Sequence, residues 1–205
     1  MQILGYGEDA LTLWALQNKL DTLLQAVGDT SSVESCQVFF RPSFGRSGGV
    51  KSAQFGEFDF IILAETCLYL GESKWTRSAE KLDQGVLELH PKQLLRHRLF
   101  KFFVEHWAFG RYVTWDEFRT KAQIELQNLG IEKPLAPTNS LLAENLQTVL
   151  GIIQTHYSSL PKMQNALLYL HDGVADELLP RGASGDFVVV AVDYSEAAVA
   201  NFIRL

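Results

Sequence analysis

Cysteine is scarce in this chain of 205 residues: only Cys36 and Cys67 occur, with no CxxC or CxxH spacing. That argues against a disulfide-dense scaffold or a thiolate zinc site. It leaves a Cys36 to Cys67 bridge open and makes a reducing, cytoplasmic setting the expectation. No apolar run approaches the roughly 20 residues of a membrane span, and MQILGYGEDAL lacks the basic, apolar and cleavage regions of a secretory signal. No membrane partner is therefore expected. Gly5, Gly7 and Gly28 make no dinucleotide loop, GRSGG lacks the lysine of a P-loop, and His90, His97 and His106 form no HxxxH pair. Internal repeats and long linkers are also missing. With 47% hydrophobic and 20% charged residues, the composition excludes collagen-like, low-complexity and wholly disordered chains, and a core can form without staples.

Bases are outnumbered as well, with a net charge of -6, but they are not evenly spread. Residues 41 to 51 carry Arg41, Arg46 and Lys51 and no acid; residues 74 to 111 carry eight bases and four acids, leaving -13 for the remainder. Brought together, these segments would set a basic face on an acidic body, the footprint that suits a phosphate backbone. Arg41, Arg46, Lys51, Arg77, Lys92 and Arg96 are the candidate DNA contacts. The bland alternative is a solvated loop and a solvated helix.

The hydrophobic pattern orders the elements. Residues 8 to 27 read as a first helix with Gly28 as its stop, and 36 to 41 (CQVFFR) as a strand before the Gly- and Ser-rich loop PSFGRSGGVKSAQ. FGEFDFIILAE (55 to 65) and TCLYLGESKW (66 to 75) read as a hairpin of buried strands. HPKQLLRHRLFKFFVEHW is helical, and its aromatic run from Phe100 to Trp115 has the spacing of core rather than of a stacking platform. Thr114 and Glu117 form a capping-box pair that opens a third helix, closed by Gly130 and Pro134. Two more helices are predicted, from about Ser140 to Tyr157 and from about Pro161 to Leu179. DFVVVAVDY (186 to 194) is a late buried strand, with a short closing helix after Ser195.

Residues two apart on a strand share a face, so Glu57 and Asp59 are expected to project together, and Glu72 and Lys74 to do so from the neighbouring strand. Charges near the ends of apolar strands are costly unless paired or metal-bound. Hard oxygen ligands of this kind point to Mg2+ or Mn2+, and an adjacent ammonium can orient an attacking water or stabilise charge on phosphorus. A cross-hairpin salt bridge is the simpler explanation, but it leaves Glu57 without a purpose.

Asp59, twelve intervening residues, then Glu72-Ser73-Lys74, preceded by Gly56-Glu57-Phe58, resembles the PD-(D/E)XK nuclease superfamily. The form is similar to its Holliday junction resolvase, NERD and Mrr-like branches. The resemblance implies an α/β fold with a three-layer αβα restriction endonuclease-like core and a mixed central sheet. The core would cover about residues 1–110 and 186–205, with a C-terminal helical insertion at about 112–180. It further implies a Mg2+- or Mn2+-dependent deoxyribonuclease in which Asp59 and Glu72 hold the metal, Ser73 offers its carbonyl and Lys74 is the catalytic lysine. Glu57 would be an accessory acid, and Glu8 would stand where many members carry a Glu in the first helix, a position the helix dipole also favours. Gln93 would match the Gln-x-x-x-Tyr of some members, although His97 stands in place of the tyrosine. DNA and a divalent metal are the implied partners, and a homodimer would supply one site per strand. The alternative within the same fold is a catalytically inactive DNA-binding or protein-interaction module.

Overall fold

A computed structural model describes residues 1–44, 56–76, 82–128, 130, 135–175 and 178–205. The elements, in chain order, are β1 (Leu4–Gly5), α1 (Gly7–Asn18), α2 (Leu20–Ala26), β2 (Gln37–Phe40), β3 (Phe60–Leu63), β4 (Cys67–Trp75), β5 (Leu82–Asp83) and β6 (Val86–Leu87). They continue with α3 (Pro91–Phe103), α4 (Trp115–Asn128), α5 (Leu141–His156), β7 (Lys162–His171), β8 (Gly182–Ala183), β9 (Phe187–Asp193), β10 (Ala198–Val199) and β11 (Phe202–Arg204). The protein is α/β, with mixed sheets. Two compact units divide it, one of residues 1–42, 58–91 and 162–205, the other of 43–57 and 92–161.

The first unit is built on a five-stranded sheet in the order β2-β3-β4-β7-β9. β2, β3 and β4 form an antiparallel meander, while β7 runs parallel to both β4 and β9. One face, with Phe60, Ile62, Tyr69, Ala166, Leu168, Leu170, Val190 and Val192, packs under Leu11, Trp14 and Ala15 of α1 and Leu20, Leu23 and Leu24 of α2. Alternate residues Ile61, Leu63, Leu68, Leu70 and Leu167 are also fully buried, so the central strands are apolar on both sides, as strands with parallel partners generally are. Gly71 sits opposite Phe60, whose ring lies where a Cβ would project: such an atom would fall 2.1 Å from it.

Two predicted elements come out differently. The helix expected from about Pro161 to Leu179, assigned to the insertion, is instead the strand β7, because burial between two parallel neighbours overrides the helix propensity of its Met, Gln, Ala and Leu residues. The closing helix is only a three-residue 3-10 turn at Ser195–Ala197, after which β10 and β11 form a small antiparallel sheet with β1. The first helix is broken at Lys19, with α2 following directly. Cys36 and Cys67 are free thiols.

The second unit is helical. Thr114 Oγ1 accepts from the Glu117 N–H at 3.2 Å, and Glu117 Oε2 accepts from the Val113 N–H at 3.3 Å, so the capping pair opens α4 as its sequence suggests. Ser140 caps α5 by accepting from the Ala143 N–H at 3.2 Å. Phe100, Phe103, Trp115 and Phe118 are buried, and Trp115 Nε1 donates to the Ala136 carbonyl at 2.9 Å. The aromatic run is core. No helix among the described residues is long and apolar enough to cross a membrane.

Candidate active site at the end of the central hairpin

The site forms where the ladder between β3 and β4 stops. The last register pair is Phe60 with Gly71, and the next donor on β4, the Ser73 N–H, is taken by Asp59 Oδ2 at 2.7 Å instead of by a backbone carbonyl. The Asp59 backbone is itself held on both sides, its N–H donating to Gly71 O at 3.2 Å and its carbonyl accepting from the Arg41 N–H at 3.0 Å. A carboxylate is thereby locked at the mouth of the hairpin by side-chain and main-chain bonds.

Glu72 and Lys74, residues only 1% and 6% exposed, stand two apart on β4 and so on one face of the strand. Burial, and then the negative charge of Glu72, push the Asp59 carboxyl up to about 7. The Ser73 N–H and the Lys74 ammonium pull the other way, and Glu8 adds to the upward push. Glu8 lies in the first turn of α1, and its Oε1 is 3.7 Å from Lys74 Nζ. Asp59, Glu72, Ser73, Lys74 and Glu8, which the sequence singles out from three separate segments, are therefore brought together in one compact unit.

Other candidates are placed elsewhere. Neither Glu57 nor Asp59 is on the strand expected to carry both: β3 begins only at Phe60, Asp59 directly precedes it, and Glu57 is exposed in an isolated antiparallel bridge to Ser43. Gly56, just ahead of Glu57, takes φ +134°, a backbone conformation that residues other than glycine rarely adopt. Gln93 is half-buried in the first turns of α3, within the helical unit.

Of the candidate phosphate contacts, Arg46, Lys51 and Arg77 lie outside the described residues. Arg41 pairs through Nη1 with Asp9 Oδ2, an acid of the α1 first turn that sequence reasoning passed over. Lys92 is exposed on α3, whereas the Arg96 guanidinium lies against Gly56, where an added Cβ would come within 2.6 Å of Nη1.

The donor set can be tested against a divalent ion. Among the described residues no group of three or more His, Cys, Asp and Glu side chains gathers as a metal site. What is present is a pair of carboxylates, Asp59 and Glu72, in which burial first and the Glu72 charge second push the Asp59 carboxyl up to about 7. Hard oxygen donors of this kind fit a magnesium-like cation that keeps several waters, since such an ion needs only one or two protein carboxylates. No family model, curated protein or solved structure matches the chain.

Proposed function

We propose that the protein is a metal-dependent nuclease that hydrolyses DNA phosphodiester bonds, on a core of restriction endonuclease-like topology. The observation that carries this reading is the coupling of Asp59 to Glu72 and Lys74 at the end of the central hairpin. Element order supports it: a helix, an antiparallel three-stranded meander, further helices, and a strand returning parallel beside the third. That fourth core strand is β7.

In this reading Asp59 and Glu72 hold the ion, with the Ser73 carbonyl as the third protein ligand. Magnesium or manganese, when bound, supplies Lewis-acid polarisation of the phosphate and a water of lowered pKa. The chain itself does the positioning. The Ser73 N–H fixes one oxygen of Asp59 and with it the orientation of the carboxyl. Glu8, 3.7 Å from the Lys74 ammonium, orients it, so that it can donate hydrogen bonds to a phosphoryl oxygen or to the attacking water. Burial of Glu72 and Lys74 lowers the local dielectric, which strengthens each of these interactions.

The test is cleavage of plasmid and of labelled oligodeoxynucleotides in magnesium or manganese, with DNA binding measured in parallel. Activity that disappears in Lys74→Ala and Asp59→Asn while binding persists supports the assignment. Cleavage undiminished in both variants overturns it, and wild-type binding without cleavage would assign the chain instead to the inactive-module reading.

A further inference from the structure

The small sheet of β1, β11 and β10 has an outer face that the nuclease reading leaves unused. In the β1–β11 ladder Leu4 pairs with Arg204 and Gly5 with Ile203. Ile203 is buried and belongs to the core beneath α1, so the Leu4 and Arg204 face is the outer one, and both residues are exposed. One step further in the same register Tyr6 falls opposite Phe202, and their rings meet edge to face with centroids 6.1 Å apart. Tyr6 is 65% and Phe202 47% exposed. Two aromatic rings side by side in water, with an arginine two residues from Phe202 on the same face, are an unusual way to finish a short ladder.

We propose that Tyr6, Phe202 and Arg204 form a stacking platform for single-stranded nucleic acid. Every base offers a π-face, so exposed rings bind unpaired strands with little sequence preference, while duplex bases are already stacked on one another. Arg204 supplies the cation for the phosphate that accompanies each stacked base. Tyr6 is the N-cap of α1, and two residues on, Glu8 meets Lys74 at 3.7 Å, so the platform and the candidate catalytic cluster are joined through the start of one helix. As a statement about substrate, that unpaired DNA is presented for cutting, the inference rests on the nuclease reading; as a statement about binding it does not.

The experiment is anisotropy of a short fluorescein-labelled oligodeoxythymidylate, and of a duplex of the same length, titrated with the full chain in EDTA. Tyr6→Ala and Phe202→Ala are each expected to weaken single-strand binding about tenfold, with no corresponding loss on the duplex. Phe202→Trp, which keeps a ring, should keep its affinity, and its added indole emission should be quenched by the oligonucleotide. Unchanged single-strand affinity in the double variant, an equal loss on the duplex, or an unquenched Phe202→Trp overturns the proposal. So does a wild-type dimer that Tyr6→Ala/Phe202→Ala converts to monomers in sedimentation, which would make the rings an interface between copies. Cleavage in magnesium, of the oligodeoxythymidylate as well as of duplex plasmid, separates the two ideas: absence of both alongside ring-dependent single-strand binding removes the nuclease and keeps the platform, and cleavage without ring-dependent binding removes the platform alone.

Discussion

Asp59→Asn should make the metal-free protein more stable at alkaline pH and not at acid pH, an unusual sign for loss of a carboxylate. The Asp59 carboxyl titrates near 7 in the folded chain, mainly through burial and then through Glu72, against a usual value of 3.8. Between those values the unfolded chain has released a proton that the folded chain still holds, so stability falls as pH rises through the window. Full ionisation would cost about 4 kcal/mol from the shift alone, and solvent reaching the half-buried carboxyl reduces the expected figure to about 2–3 kcal/mol. The asparagine keeps an oxygen to accept from the Ser73 N–H and carries no charge, so it removes the titration while preserving the bond. Urea unfolding in EDTA at several pH values between about 4.5 and 8 measures the difference between wild type and variant. That difference should grow by about 2–3 kcal/mol in favour of the variant across the range. A gap that stays constant with pH would refute the coupling of Asp59 to Glu72. On the proposed metal-dependent reading, magnesium added at the alkaline end should return stability to the wild type and not to Asp59→Asn, because a cation bound there offsets the repulsion between ionised Asp59 and Glu72.

Gly71→Ala should destabilise the first unit by about 1–3 kcal/mol, because the new methyl would strike the Phe60 ring. Phe60→Leu in the same chain should restore part of that loss in urea unfolding. Tyr69→Phe removes the phenol that donates to Asp29 Oδ2 at 2.7 Å and should cost about 1–2 kcal/mol at neutral pH. Burial works against the Asp29 charge, but hydrogen bonds from Ser31 and Tyr69 hold its carboxyl below the usual range. The stability it contributes is therefore present above the carboxylate range and lost as pH falls, and the penalty of Tyr69→Phe should shrink in acid, as unfolding at about pH 3 can show. Trp115→Phe in the helical unit loses the indole bond to the Ala136 carbonyl and should lower the thermal midpoint, whereas Trp107→Phe, half-buried nearby, should do so less.

Much of the framework is legible along the chain because it depends on local pattern. The hairpin of β3 and β4, the late strand β9, the capped starts of α4 and α5 and the core character of the Phe100 to Trp115 run all follow from periodicity and end signals within a few residues. Reading fails where a neighbour in space decides. Lys162–His171 has the composition of a helix and becomes a strand because β4 and β9 flank it. Glu57 looks like part of the β3 run, yet the ladder begins only at Phe60 and Glu57 bridges to Ser43 instead. Arg41 looks like a phosphate contact, but its guanidinium meets Asp9 of the first helix.

The sequence by itself determined which residue types stand at the hairpin end, an acid at 59 and an acid and a lysine two apart at 72 and 74, since side-chain alternation on a strand needs no tertiary knowledge. Only the tertiary structure decided that Glu8 reaches Lys74, that Ser73 donates to Asp59 in place of a ladder bond, and that Tyr6 lies beside Phe202. The physical reason is distance along the chain. Charge coupling and ring contact fall off over a few ångströms in space, and residues separated by tens to nearly two hundred positions acquire that proximity only when the whole sheet closes.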